Sequence, residues 1–522
     1  MKIVPVRWLA PLLLLLPTAG VGMAAPVTGD RIEAAADEPQ NWLTSAGDYG
    51  AHRYSGLSEI NKANAGRMKL LFTVSLGPIS AGEGFETARI SAPLVDDGML
   101  FTVDAFGTVY KIDVTSGVKG TILWTSKPLE AVMDPWLNGQ WSLSFSGDSI
   151  VLAAGDGRLI WLNRETGALE RTIAVDDPAT GFALVAPPLL VDNTLIVGGA
   201  GGDRGARPQV AAFDSATGEL AWRSYAVEEG AFVAGGSFLR TGIYDPQSEL
   251  TLWSTSGPVP AFTAGLRQGK DHTNSLFAFD VGSGDIAWTR QLLADDTLGY
   301  NTAATPILND GTALHFGDDG QFRRLTVANG NFDGQATIAT GADGLSGETP
   351  PGCPNILAED HMPSSLSSRS GLLYAAENNG CRADLGDIGN LAGDAEGGLY
   401  DNKTASTGAL AAVDPQTGDV VAERFFDYPL QSGVLSLAGG MVFAATADGD
   451  VHLLDDTTLE TVWSQQVSSL MATPPISYGV DGKQYIAFMV GGTPLYSELA
   501  YRGRNQVGVR HLTVLAVMGL EP

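Results

Sequence analysis

Three acidic positions in this sequence stand beside residues that would let them do chemistry. Asp203 lies in the glycine-rich run GGAGGDRGAR between two strand-like stretches. A carboxylate in such a loop can act as an oxygen ligand for a hard cation, or stand as a solvated loop carboxylate on an acidic chain. Asp271 and His272 are neighbours in RQGKDHTNS. Proton abstraction needs only a positioned carboxylate, so this pair reads either as a general base with a partner or as a polar loop flanking a strand. Asp360 and His361 are neighbours in a proline-flanked loop, where a histidine serves a site, the structure or the surface.

Other chemistries lack their residues. No GxGxxG opens a helix after a strand, which discounts NAD, and without CxxC or HExxH a zinc hydrolase has no support. No CxxCH attaches a c-type haem. The net charge of −28 repels nucleic acid and anionic membrane surfaces; it favours a cation ligand or solubility outside the cell. Residues 1–24 carry Lys2 and Arg7, an apolar run and then small residues: a secretory leader, too short for a stable membrane span. Cleavage after Ala24 is expected, followed by a flexible segment over 25–40 and one domain over 41–522. In an exported chain the two cysteines, Cys353 and Cys381, are expected to form a disulfide.

These residues must be positioned by a repeated element. QVAAFDSATGELAWRS (Gln209–Ser224) returns as SLFAFDVGSGDIAWTR (Ser275–Arg290), with looser copies elsewhere, seven in all. Alternating apolar and polar residues on both sides of a tight turn predict an antiparallel hairpin. The Asp can accept backbone amides of the turn, the Gly supplies the positive φ, and the Trp fills the gap between neighbouring sheets. The turn position falls at Asp113, Asn163, Asp214, Asp280, Thr326, Asp414 and Asp455. Apart from two wide gaps, the spacing of 41 to 51 residues suits one four-stranded propeller blade. HLTVLAVMGL (His511–Leu520) has no partner hairpin, while NWLTSAGDYGAHRYSGL (Asn41–Leu57) stands alone at the other end. The expected fold is therefore all-β: an eight-bladed β-propeller of four-stranded antiparallel blades, its ring closed by N- and C-terminal strands. The wide gaps mark insertions on one face.

NWLTSAGDYGAHRYSGLSEINKAN (Asn41–Asn64), SAPLVDDGMLF (Ser91–Phe101), GDGRLIWLNRETG (Gly155–Gly167), GVLSLAGGMVFAATADGDVHLLD (Gly433–Asp455) and TPPISYGVDGKQYIAFMVGG (Thr473–Gly492) follow one another along the chain. In this ordered set the chain resembles the pyrroloquinoline quinone (PQQ)-dependent alcohol dehydrogenases of the methanol and ethanol dehydrogenase type, over nearly all of its mature length. The resemblance implies PQQ on the propeller axis with a Ca²⁺ or lanthanide ion held by Glu, Asn and Asp, and a nearby Asp as base. It also implies an alcohol-type small-molecule substrate and a soluble cytochrome c as electron acceptor, in the periplasm or secreted.

Carried over by position, Asp203 stands at the metal-ligand Glu and Arg207 at the Arg just after it. Gly257 in WSTSGPVP takes the place of the Asn ligand. Asp271, with a two-residue shift, is the candidate base and a second metal ligand. Trp141 falls where an Arg contacts the quinone, Asp318 near a quinone-contacting Lys, and Leu239 at the stacking Trp. Asp360 and His361 replace an Asn-Trp pair. The vicinal cysteines that cap the quinone are absent, and Trp136 and Trp141 would either cover a planar cofactor in their place or pack blades. Family members also carry a disulfide where Cys353 and Cys381 fall. The competing reading is a non-catalytic propeller scaffold like the outer-membrane assembly propellers, which share the repeat without cofactor. A propeller enzyme with a different cofactor is a third.

Overall fold

The computed structural model describes residues 25–78, 89–128, 140–230, 235–258, 272–294, 296, 300–338, 362–379, 407–467, 471–491 and 512–521. These form eight four-stranded antiparallel blades around one ring, two of them extended by a short parallel strand, Arg89–Ile90 and Tyr54–Ser55. Blade 1 runs Leu94–Asp96, Met99–Val103, Val109–Asp113 and Thr121–Ser126, from a fully buried first strand to a largely exposed fourth. Blades 2 to 7 repeat that order along the chain. Blade 8 combines both ends: Ile476–Val480, Lys483–Val490 and Leu512–Leu520 are completed by Met68–Pro78, which pairs antiparallel with Leu512–Leu520. The ring thus closes with N- and C-terminal strands as expected, but the N-terminal strand is Met68–Pro78 rather than the Asn41–Leu57 stretch, whose Tyr54–Ser55 pairs with blade 7.

The repeated hairpin is the third-to-fourth strand turn, and its three marked residues act as their chemistry dictates. Asp214 Oδ1 accepts the backbone N–H of Ala216 and Thr217 and the Thr217 hydroxyl, at 3.1, 2.7 and 2.9 Å. Gly284 takes φ +76°, and a Cβ there would lie 2.5 Å from the Trp222 ring of the preceding blade. Trp222 Nε1 then donates to the Val281 carbonyl at 2.8 Å. The Trp of one blade therefore docks on the turn of the next, and the glycine is required both for its φ and for the ring above it. Trp124 over Gly167 and Trp288 over Gly330 repeat the arrangement.

Antiparallel order places the first-to-second and third-to-fourth turns at one end of the ring and all other connections at the opposite end. At that opposite end the second-to-third connection is short in blades 1, 2, 5 and 7 and long in blades 3, 4, 6 and 8. Both wide gaps in the repeat spacing open there.

The N-terminal residues require a correction. The segment 25–40 is not a flexible leader but packed structure. Val27 is fully buried and pairs with Gly147, and the Thr28 side chain caps the short helix Gly29–Glu33. Arg31 reaches Asp96 at 2.8 Å, and Arg164 reaches the same carboxylate at 2.7 Å. A carboxylate 1 % exposed with two guanidinium partners fixes this segment to blades 1 and 2.

Candidate functional site

The long connections of blades 3 and 4 are drawn together by two serines. In the glycine loop, Gly201 and Gly202 donate their N–H groups to Ser237 Oγ at 3.1 and 2.8 Å, and Gly235 N–H donates to the Gly202 carbonyl at 3.0 Å. Ser237 N–H donates to Ser256 Oγ, and Ser256 N–H returns to the Ser237 carbonyl, both at 2.9 Å. Asn274 N–H continues the chain to the Ser256 carbonyl at 2.9 Å. His272 packs on Gly236, where a Cβ would stand 2.4 Å from the imidazole. The loop of Asp203, the position of Gly257 and His272 therefore converge. Glycine and serine make this possible, because backbone meets backbone with no side chain between.

Each candidate has a definite place. Asp203 sits half-buried in the single turn Gly202–Arg204, opened by Gly201 at φ +105°. Gly257 contributes no side chain, and a Cβ would lie 2.4 Å from the Tyr300 carbonyl, so an amide ligand has no room there. Arg207 is directed away from the loop: its guanidinium lies 3.7 Å over the Tyr225 ring and donates to the Val227 carbonyl at 2.7 Å. Trp141 is 1 % exposed, donates Nε1 to the Ala105 carbonyl at 2.9 Å and packs against Gly107. Its surroundings in the ring are those of a blade-packing tryptophan. Leu239 packs on Ala183, Val185 and Ala200, and Asp318 is buried at the end of the second strand of blade 5. Asp271, Asp360, His361, Trp136, Cys353 and Cys381 lie outside the described residues.

Beneath the convergence is a buried polar layer that the sequence does not announce. Asn274, at φ +49°, accepts the Thr302 N–H and hydroxyl on Oδ1 at 3.1 and 3.2 Å and donates to Asp296 at 3.3 Å. Thr255 donates to the His272 carbonyl at 2.7 Å. His315 donates Nε2 to the Thr302 carbonyl at 2.9 Å. Burial, and then the nearby Arg323 guanidinium, push the His315 imidazole down to about 4, so it is neutral at physiological pH. These residues come from segments far apart in sequence, and no motif marks them as a set.

Oxygen donors dominate this place: the carboxylates of Asp203 and Asp296, hydroxyls and backbone carbonyls. That set suits a hard cation rather than a thiophilic metal. Among the described residues no group of three or more His, Cys, Asp or Glu side chains that could hold a metal gathers. Arg204, next to Asp203, is exposed, and Arg240 donates to the Leu239 carbonyl at 3.2 Å. The oxygen donors fit a hard cation.

Comparison with known proteins agrees with this topography. Residues 42–317 match the family described as glucose/ethanol/alcohol dehydrogenase, beta-propeller domain, and residues 406–487 match outer membrane protein assembly factor BamB. The quinohemoprotein alcohol dehydrogenase ADH-IIG of Pseudomonas putida is 26% identical over 95% of this chain and 78% of its own. A lanthanide-dependent methanol dehydrogenase of Methylacidiphilum fumariolicum is 26% identical over 87% of this chain and 85% of its own. The structure of a europium-containing methanol dehydrogenase superposes with a TM-score of 0.76, at 23% identity, over 94% of this chain and 100% of that one.

Proposed function

Because the chain belongs to the glucose/ethanol/alcohol dehydrogenase β-propeller family, we propose that it is a periplasmic or secreted quinoprotein-type oxidoreductase acting on a CH–OH substrate. The observation that carries this reading is the Gly202–Ser237–Ser256 relay, which gathers the three segments that would hold ion, quinone and base. PQQ, when bound with Ca²⁺ or a lanthanide ion, supplies a hydride acceptor whose carbonyl the ion polarises. Asp203 holds the ion through its carboxylate, with backbone and hydroxyl oxygens in place of the amide that Gly257 lacks. Arg204 and Arg240, next to Asp203 and Leu239 in sequence, would supply cationic groups for the acidic groups of the cofactor. Asp271 takes the substrate hydroxyl proton on its carboxylate, and the buried neutral His315 keeps the layer below free of a competing charge. Asp360 and His361 would join the cofactor surroundings by their places in the sequence, Trp141 packs blades instead, and Arg207 orients the loop through Tyr225 rather than by direct contact. Electrons leave to a soluble cytochrome c.

The test is a titration of apo-protein with PQQ in the presence of Ca²⁺ or La³⁺, followed by absorbance. Saturable binding at micromolar concentration supports the reading, and its absence with both ions removes it. A non-catalytic scaffold is the second reading. It is favoured by the closed position at Gly257 and by the match of residues 406–487 to an assembly factor. It expects no PQQ binding and no effect of Asp203→Ala on the protein's task.

A further inference from the structure

The residues from Val27 to Ser55 touch every blade of the ring in turn. Val27 pairs with Gly147 of blade 2, Gly29 abuts Asp192 of blade 3, and Trp42 exchanges two backbone hydrogen bonds with Val95 of blade 1, at 2.8 and 3.0 Å. Tyr49 donates its hydroxyl to the Leu190 carbonyl of blade 3 at 2.8 Å, and its own carbonyl accepts Tyr244 N–H of blade 4 at 3.1 Å. The Gly50 carbonyl then accepts Leu308 N–H of blade 5, and the His52 carbonyl accepts Leu366 N–H of blade 6, both at 2.9 Å. The Arg53 carbonyl accepts Ser436 N–H of blade 7 at 3.2 Å. The Arg53 guanidinium, 1 % exposed, donates to the carbonyls of Ser45, Val434 and Pro475, the last in blade 8. Ser55 donates to Ser477 of blade 8 at 3.0 Å.

Apart from Ser45, in the segment itself, and Pro475, which leads into the first strand of blade 8, these partners lie on first strands or the turns that follow them, and those turns are at the end of the ring opposite the long connections. A propeller leaves a channel on its axis, and a chain that visits all eight innermost strands crosses that channel. One side chain in the crossing is titratable near neutral pH. His52 Nδ1 meets Asp48 Oδ2 at 2.7 Å and Nε2 meets the Leu308 carbonyl at 2.7 Å. Both partners are acceptors, so only an imidazolium, with a proton on each nitrogen, satisfies them together.

We propose that Val27–Ser55 is a plug that closes one mouth of the axial channel, and that His52 is its latch, tying the crossing to blade 5 while protonated and loosening it when deprotonated. Small molecules then enter and leave only at the end of the long connections. The charged groups facing His52 are Asp48 on its own segment and Asp310 in the turn of blade 5; blade 6 meets it through the Leu366 amide and the Ser365 hydroxyl. Burial pulls the imidazole down, but Asp48, the Leu308 carbonyl and Asp310 outweigh it and hold the group above its ordinary value. A raised folded-state value means that the latch is complete below the ordinary histidine range and is lost as pH rises through the folded value.

The experiment is hydrogen exchange of the full chain read by mass spectrometry from pH 5 to 9, corrected for intrinsic rates. The probes are the peptides holding the amides of Leu308 and Leu366, with Ala211 and Ala278 on third strands as internal controls. Wild type is expected to lose about tenfold protection at the probes across that range, and none at the controls. His52→Gln and Asp48→Asn are expected to show the looser probe protection already at pH 5, without further change. Flat wild-type protection, or variants as protected as wild type at pH 5, overturns the latch. If Arg53→Met, which removes three donors to the crossing, leaves all probe amides protected, the plug itself is overturned. The two conservative variants keep the test open should Arg53→Met fail to fold.

Discussion

The two ends of the ring are built by opposite rules. At the hairpin end a small set of residues recurs: an Asp accepts amides of the turn, a Gly turns the chain at positive φ, and in blades 1, 3 and 4 a Trp docks on the Gly of the next blade. At the other end no two long connections share a pattern, and what joins them is backbone meeting backbone through Ser237 and Ser256. A repeated structural task selects a repeated sequence. A site assembled once, from several blades, leaves no repeat to read.

The sharpest test of that contrast lies at the site end. Under the proposed reading Asp271→Asn spares cation and PQQ binding but lowers turnover by about a thousandfold, since a base acts only in the reaction. Asp203→Ala weakens cation and PQQ binding together. Both are checked by the absorbance titration beside steady-state kinetics. Equal loss of binding in both variants would assign the two carboxylates one shared role and break the division between ligand and base.

The next test sets glycine against glycine. Gly284→Val meets the Trp222 ring at a positive φ and should cost about 3 kcal/mol or more, whereas Gly205→Val, at φ +91° with open space around the added atom, bears the backbone strain alone, about 1 to 2 kcal/mol. Urea unfolding midpoints measure both. Equal losses would mean that the tryptophan yields freely and that docking does not define the hairpin end.

This difference explains what was legible beforehand. Asp214, Gly218 and Trp222 spell out a blade because their tasks are local, and the two unpaired ends implied an eighth blade. Met68–Pro78 could not be identified as the closing strand, because it is a fourth strand whose hairpin partner lies at the other end of the chain. The segment 25–40 looked flexible because its anchors are remote: Arg31 depends on Asp96, and Val27 on Gly147. At the site, Asp203 and the place of Gly257 were found by resemblance to a known family. Ser237, Ser256, Asn274 and His315 were not, since an ordinary polar residue becomes part of a site only when its neighbours are known. Arg207 shows the converse, a residue whose position suggested a pocket and whose guanidinium turns to Tyr225 instead.

Among the seven hairpin copies one lacks glycine at the turn, and this exception can be tested by restoring it. In the seventh copy the turn residue is Leu459 rather than glycine. It holds φ +55° and still donates its N–H to the Asp455 carbonyl at 2.9 Å, as Gly218 does to Asp214 at 2.8 Å. The preceding blade lacks the docking ring: four residues past Gly418 stands Ala422, where four past Gly218 stands Trp222. Leu459 is fully buried in a cluster against which Ala422 packs, so it fills the space that a tryptophan fills elsewhere. Burying a leucine contributes about 2 to 3 kcal/mol, and holding a non-glycine residue left-handed costs about 1 to 2, so burial wins. Leu459→Gly should therefore destabilise by only about 1 kcal/mol. Ala422→Trp alone should destabilise by overpacking against Leu459. The double variant recreates the Trp-on-Gly pair and should recover much of both losses, giving a coupling energy of opposite sign to the single effects in urea unfolding. If the two losses simply add, Leu459 is not the substitute for the missing ring, and the hairpin end tolerates an unfilled joint.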